Sequence, residues 1–156
     1  MRSLALFAFI LFVGLASARG EENQLRDFAQ LMRALNNGAE VRAVIRYAQC
    51  KLIADSVEIK APDAVGGLSL STFEYFAKMS VRNPRSFVSS SQTVLISHPR
   101  YGTVLNYVRL KIFEDGNVEI TARYLSPTSY QIVMDETFYG GISSGGDEKA
   151  VSLYAR

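Results

Sequence analysis

Hydrophobic and polar residues alternate regularly along residues 104–113 and again along residues 118–125. A period of two residues is typical of a strand with one face in the core and the other in water. Asp115-Gly116 lies between the two segments, and glycine readily takes the positive φ that a tight hairpin turn needs. The pattern therefore predicts an antiparallel hairpin, followed by a further strand over residues 130–138.

The length of the turn decides which side chains share a face. A two-residue loop would place Ile112 opposite Glu119 and mix apolar with polar residues on both faces. A three-residue loop with Gly116 in the left-handed conformation places Ile112 opposite Val118 and keeps the apolar residues together. We favour the second register. It sets Leu110 opposite Ile120 and Val108 opposite Ala122, and on the outer face it sets Lys111 beside Glu119, Arg109 beside Thr121 and Tyr107 beside Arg123.

Residues 21–36 carry a helical pattern, because apolar residues recur every three or four positions from Leu25 to Leu35. Asn37-Gly38 is typical of a helix C-terminus, so we expect the helix to end there. Strands are predicted at residues 41–47, 68–76 and 86–97, with Gly66-Gly67 in a loop. These elements predict an α+β fold, with one N-terminal helix packed on a strongly curved, barrel-like antiparallel β-sheet of roughly six to eight strands.

Both ends of the chain differ from this region in composition. Residues 1–18 combine Arg2, an apolar run and the small residues Ala16-Ser17-Ala18, which predicts a signal peptide. The alternative, a retained membrane anchor, is weaker because the run is short for a bilayer span. Cleavage after Ala18 leaves 138 of the 156 residues. We expect a single domain at residues 19–140 and a poorly packed, mobile Gly/Ser-rich tail at 141–156, in which residues 151–154 could form an edge strand.

Charge and composition narrow the classes of function. The net charge is +2, too small to indicate a basic face for nucleic acid. The single His and the single Cys cannot supply the four ligands of a structural zinc site, and the carboxylates lack the spacing of a calcium loop. We therefore expect no cofactor, no metal, no nucleic-acid partner and no membrane insertion of the mature chain.

A G-x-S-x-G pattern at residues 141–145 raises the question of hydrolysis by Ser143. A nucleophile elbow needs a strand before the serine, a helix after it, and an acid and a His downstream. His98 lies upstream and precedes Pro99, as in an exposed turn. We therefore predict that the chain has no catalytic residues and is not an enzyme.

Cys50 has two interpretations. An odd cysteine in an exported protein suggests a free thiol or a disulfide to another chain. The alternative is a buried thiol that packs as a small hydrophobic residue. Mobility of the protein on a non-reducing gel would separate the two.

Tyr101, Tyr107, Arg109 and Arg123 are the candidate binding residues, because the predicted hairpin places them near one another on its outer face. Tyr and Arg contribute strongly to interfaces, and Arg can hold a carboxylate or sulfate with two hydrogen bonds. The alternative is an ordinary solvated sheet face with cross-strand pairs.

A set of features occurs in a fixed order along the chain: the helix, the strand at 41–47, Cys50, Gly66-Gly67-Leu68, Phe73-Glu74-Tyr75-Phe76, Arg109, Glu114-Asp115-Gly116 and residues 125–130. This order resembles the VirK family of small exported proteins over residues 25–138. The resemblance implies a signal peptide and one small domain. The family is named for a virulence regulon of plant-associated bacteria, and no biochemical activity follows from the name. Many members carry a second cysteine after the last strand, where this chain has Phe138-Tyr139-Gly140, so an intrachain disulfide is excluded here.

Together these observations predict a secreted, non-enzymatic interaction protein whose partner is a host, extracellular-matrix or envelope component. It would be extracellular, or periplasmic if the source is bacterial. The alternative is a carrier for a small apolar ligand, held in a closed cavity within a curled sheet lined by Phe and Tyr.

Overall fold

The computed structural model describes residues 23–54, 57–146 and 149–156. The predicted signal peptide at residues 1–18 lies outside this part of the chain. The described residues form eleven strands, one α-helix and a 3-10 helix at Tyr47–Gln49. In chain order the strands and helix are β1 (Asn23–Leu25), α1 (Phe28–Asn36), β2 (Val41–Arg46), β3 (Lys51–Ala54), β4 (Val57–Ile59), β5 (Val65–Ser69), β6 (Glu74–Phe76), β7 (Phe87–His98), β8 (Gly102–Phe113), β9 (Asn117–Leu125), β10 (Ile132–Gly141) and β11 (Val151–Ala155).

The strands are arranged in two antiparallel sheets, which confirms the α+β class. A four-stranded sheet has the order β1-β11-β2-β5, and a seven-stranded sheet has the order β4-β3-β10-β9-β8-β7-β6. The prediction of one strongly curved, barrel-like sheet is wrong. The seven-stranded sheet ends at the short strands β4 and β6, which do not pair with each other. Its apolar face is covered by the second sheet and α1, so burial does not require the sheet to close.

The β8–β9 hairpin has the predicted register. Ile112 pairs with Val118, Leu110 with Ile120 and Val108 with Ala122. Gly116 has φ of +80° and its N–H donates to the carbonyl oxygen of Phe113 at 2.9 Å, as a three-residue turn requires. Leu110, Ile112, Val118 and Ile120 are at most 2% exposed, so the apolar face of the hairpin lies in the core.

The helix α1 begins at Phe28, not at Glu21 as predicted. The Asp27 side chain accepts a hydrogen bond from the N–H of Gln30 and caps the first turn. The residues before it form β1, in which Leu25 pairs with Leu153 of β11. Burial of Leu25 against a neighbouring strand therefore overrides its helical spacing. The predicted stop at Asn37-Gly38 is confirmed.

The C-terminal segment also departs from prediction. Gly140 and Gly141 belong to β10, and Ile142 and Ser143 are buried. A Cβ atom on Gly140 would lie 2.5 Å from the Cβ of Ala150, so the missing side chain allows close packing. The strand β11 lies between β1 and β2 and is not an edge strand. The segment thus contributes to both sheets and to the core.

The prediction of a loop at Gly66-Gly67 is wrong, because both glycines lie in β5. Their backbone pairs with Ile45 and Val44 of β2. Pairing along the edge of a sheet depends on backbone groups, which glycine retains, so the two glycines do not interrupt the strand. Among the described residues, no helix is long and apolar enough to cross a bilayer.

We predict that Gly116→Ala lowers the free energy of unfolding by about 1–2 kcal/mol, because alanine disfavours the left-handed conformation. A Cβ atom there would meet nothing within 4 Å, so the cost comes from the backbone. Urea denaturation measures the change. Gly146→Ala is the control, because that position is equally open and its φ is not positive. Equal stabilities of the two variants would contradict the assigned turn.

Candidate binding surfaces

The alternation along β8 and β9 brings three of the four predicted binding residues to the outer face of the seven-stranded sheet. Tyr107 pairs directly with Arg123, and Arg109 pairs with Thr121 in the next row on the same face. Tyr101 does not join them. Its ring packs at 5.0 Å from His98 and 5.4 Å from Tyr124. Tyr124 points to the inner face because it follows Arg123 along the strand, so the predicted group of four is divided between two faces.

Both arginines on the outer face already have carboxylate partners. Arg123 Nε donates to Asp135 Oδ1 at 2.9 Å, and this hydrogen bond raises the pKa of Arg123. Arg109 Nη2 donates to Thr121 Oγ1 at 3.1 Å and lies 3.4 Å from Glu119 Oε1. An anion that binds either guanidinium must therefore compete with a carboxylate of the sheet. The geometry matches the cross-strand pairs of an ordinary solvated face.

A row of four aliphatic residues crosses the same outer face one step further along the strands. Leu95, Leu105, Leu125 and Ile132 pair in register across β7, β8, β9 and β10. We call them the aliphatic row. Leu95 is 62% exposed and Ile132 is 52% exposed, although both are large and apolar. The row stands out because its members adjoin one another on four neighbouring strands.

A groove of about 350 Å³ is bordered by Tyr107, Arg123 and Tyr130, and three members of the row, Leu105, Leu125 and Ile132, form its floor. Tyr130 is 68% exposed and has φ of +57°, in a turn closed by a hydrogen bond from its N–H to the Ser126 carbonyl oxygen. Sequence reasoning missed this groove. The available signal was the apolar residue at one outward position of each strand, but the alignment of these positions depends on the register of three strand pairs.

A second concave site lies on the inner face, between the two sheets. The edge strand β5 covers this face incompletely and leaves a cleft of about 290 Å³. Val108, Ala122 and Phe138 contribute to its apolar part. The polar groups that reach it are on Tyr47, Asn106, Tyr124 and Glu136.

Two phenols of the cleft are held in the neutral form. Burial raises the pKa of Tyr47 to about 12, with smaller contributions from Cys50 and Tyr124. Burial also raises the pKa of Tyr124, with further contributions from Glu136 and Tyr101. The ring of Tyr47 packs edge-on against Phe138, with 4.8 Å between ring centroids. Both hydroxyl groups therefore remain hydrogen-bond donors at neutral pH.

Cys50 is a free thiol, 9% exposed. Its Sγ donates weakly to the Arg46 carbonyl oxygen at 3.6 Å, and burial raises its pKa to about 11. This position favours the buried-thiol interpretation over pairing with another chain, because a disulfide needs an accessible thiolate. A Cβ atom on Gly140 would lie 3.7 Å from Sγ, so the segment where the resemblance implies a second cysteine does adjoin Cys50.

Ser143 and His98 occupy different environments. Ser143 is 5% exposed, and its N–H donates to the Val151 carbonyl oxygen at 2.7 Å. His98 Nδ1 accepts hydrogen bonds from the N–H groups of Arg100 and Tyr101. Within the described residues no helix follows Ser143 before β11, so the segment differs from a nucleophile elbow.

A scan against protein families matches the VirK protein family over residues 24–130, more than two thirds of the chain. The chain belongs to the VirK family. The fold is similar to the crystal structure of a VirK family protein from Legionella pneumophila, with a TM-score of 0.63 and 12% sequence identity. The match covers 83% of this chain and 97% of that one. No curated protein matches the chain significantly. At this identity the Legionella structure supports the VirK fold alone.

For the VirK domain we predict that Cys50 reacts slowly with a disulfide reagent at pH 8 in the folded state. A thiol of pKa about 11 is roughly one part in a thousand thiolate at that pH, against about a quarter for an ordinary cysteine. Release of thionitrobenzoate from Ellman's reagent measures the rate, and the urea-unfolded chain is the control. Equal rates in the two states would contradict the burial of the thiol.

We predict that Arg109→Ala and Arg123→Ala each lower the free energy of unfolding by at most about 1 kcal/mol, because both pairs are exposed to solvent and screened. Arg109→Ala should cost the more of the two, since it also removes a hydrogen bond to the buried hydroxyl of Thr121. Thermal and urea melts measure the change. A loss above about 3 kcal/mol would show that the arginines hold the VirK sheet together.

Proposed function

We propose that this chain is an exported, non-enzymatic binding protein that recognises a partner protein through the outer face of its seven-stranded sheet. The observation that supports this most directly is the aliphatic row, in which Leu95 and Ile132 are more than half exposed. Contiguous apolar surface is costly to leave in water, and on soluble domains it commonly marks an interaction site. Export is proposed from the leader-like composition of residues 1–18.

The chemistry around the row favours a protein as partner. Protein interfaces combine an apolar centre with Tyr and Arg, and here Tyr107, Tyr130 and Arg123 border the aliphatic floor of the groove. An apolar side chain of the partner would enter this groove and lie between the two tyrosines. The Arg123–Asp135 pair at its rim offers both a donor and an acceptor to polar groups around that anchor.

A nucleic-acid partner is disfavoured by the charges on the same face. Arg109 and Arg123 are each paired with a carboxylate, and the whole chain carries a net charge of only +2. Phosphate binding needs several cations that can displace counterions together. The outer face offers apolar contact area and lacks, among the described residues, a group of unpaired cations.

The non-enzymatic part of the proposal rests on the placement of His98 and Ser143. The His98 ring packs against Tyr101 and Tyr124, and its Nδ1 already accepts backbone hydrogen bonds. Ser143 adjoins β11 and its carbonyl oxygen accepts from Gln24. A Ser-His pair would need the His98 ring beside Ser143, whereas that ring lies at the β7–β8 turn against Tyr101 and Tyr124.

The carrier alternative loses its closed cavity, because neither sheet curls into a barrel. A small ligand would instead have to use the open cleft of about 290 Å³ beneath β5. The proposed role in protein recognition does not depend on that cleft, since the two sites lie on opposite faces of the same sheet.

The test compares capture of proteins from the extracellular fraction of the source organism by three immobilised forms of the chain. The first is the unmodified protein, and the second carries Leu95→Lys and Ile132→Lys. The third is a matched control with Val57→Lys and Val81→Lys, which changes two residues that are 60% and 55% exposed elsewhere on the molecule. All four positions are exposed, so the three forms should have similar melting temperatures.

We predict that a specific partner is retained by the unmodified and control forms and is lost from the aliphatic-row variant. With the purified partner, the row variant should weaken binding by at least about tenfold. Equal capture by all three forms would refute the proposal. Light scattering checks self-association, and a dimer that dissociates in the row variant alone would show that a second copy of this chain covers the face.

A further inference from the structure

The cleft beneath β5 contains a carboxylate at a position that the strand pattern assigns to the core. Glu136 of β10 pairs with Ala122 of β9, which pairs with Val108 of β8 on the same inner face. Two residues further along β10, Phe138 is 2% exposed on that face. Glu136 itself is half-buried and lines the cleft, so its carboxylate can be reached by a ligand there.

Among the described residues, no cation forms an ion pair with Glu136. Glu136 is the one charged residue among those that line the cleft in the described part of the chain. The ion pairs of the described residues join other carboxylates: Glu58, Asp115, Glu119 and Asp135. The neighbouring carboxylate Asp135 is neutralised by Arg123 on the opposite face, so the two adjacent acids of β10 differ in this respect.

The polar groups around Glu136 are also available to a ligand. None of the hydrogen bonds formed by side chains of the described residues involves Tyr47 Oη, Asn106 or Tyr124 Oη. Burial keeps both phenols neutral, so the charge within the cleft is that of the carboxylate alone. The rings of Tyr47 and Tyr124 add aromatic surface, which attracts cations.

The space itself depends on Gly66. This residue pairs with Ile45, whose side chain is buried, so position 66 faces inward. A Cβ atom on Gly66 would lie 3.1 Å from Cε2 of Tyr47. Any larger residue would displace the tyrosine ring or fill the cleft. The opening is therefore produced by an inward glycine on the edge strand that covers it.

We propose that this cleft binds a small organic cation, a primary amine carried on an apolar body. The ammonium group would approach the Glu136 carboxylate and the hydroxyl groups of Tyr47 and Tyr124, where a charge-assisted hydrogen bond is strong. The apolar body would lie on Val108, Ala122 and Phe138. The volume of about 290 Å³ lies just below the usual range for ligand pockets, roughly 300–1,000 Å³, which favours a compact ligand with one ring or a short chain.

Three probes of the same skeleton separate charge from shape: 2-phenylethylamine, 2-phenylethanol and phenylacetate. The protein is labelled with ¹³C at its methionine methyl groups, and each probe is titrated while the spectra are recorded. Met134 lines the cleft, Met32 lies in α1 and Met79 is 67% exposed in a distant turn. Met134→Leu assigns the signal.

We predict that the amine shifts the Met134 signal in a saturable way and leaves that of Met79 unchanged. The alcohol should bind at least about tenfold more weakly, and the carboxylate more weakly still. Glu136→Gln should abolish the preference for the amine over the alcohol while keeping the shape of the side chain. Asp135→Asn is the matched control, because it neutralises the adjacent carboxylate on the other face and should leave amine binding unchanged.

Gly66→Ala provides a second variant that does not alter charge, and it should weaken the amine and the alcohol together. If Glu136→Gln fails to fold, Tyr124→Phe serves in its place and should reduce the preference for the amine. Absence of a Met134 shift, equal affinity for all three probes, or an amine preference that survives Glu136→Gln would each overturn the proposal. None of these outcomes bears on the proposed function, because that proposal concerns the opposite face of the sheet and is tested by protein capture.

Discussion

The structure depends on the register of the two strands β8 and β9. Because side chains alternate across a strand, the three-residue turn at Gly116 commits each residue from 104 to 125 to one of two faces. Leu110, Ile112, Val118 and Ile120 go to the core, while Tyr107, Arg109 and Arg123 go to the outer face. A slip of one residue would exchange these sets, exposing the residues that join the two sheets and burying two arginines.

The smaller sheet covers only part of the inner face of the larger sheet, and the cleft lies where this cover ends. The four-stranded sheet and α1 bury one end of the large sheet, where Phe138, Ile120 and Leu110 are almost inaccessible to solvent. Beyond the edge strand β5 the cover ends, and an inward glycine there leaves the cleft that contains Glu136. Incomplete overlap of two sheets of unequal size thus produces a site that neither sheet would form by itself.

The outer face shows how pairing separates exposed charge from exposed apolar surface. Its arginines form ion pairs with carboxylates on neighbouring strands, so they contribute little net field. Leu95 and Ile132 of the aliphatic row remain more than half exposed, and a bound protein would bury this apolar area. Tyr107 and Arg123, which the sequence analysis proposed as binding residues, therefore border the candidate interface, and the aliphatic row forms its centre.

The sequence by itself determined those features that depend on neighbours along the chain: the alternation and turn of the hairpin, the helix stop at Asn37-Gly38, and the α+β class. Tertiary structure decided the rest. Residues 23–25 form a strand because Leu25 meets Leu153, and β11 lies inside a sheet because β1 and β2 flank it. The aliphatic row and the cleft require the alignment of strands distant in sequence, and pairing between distant strands is set by the shared core, which no local pattern encodes.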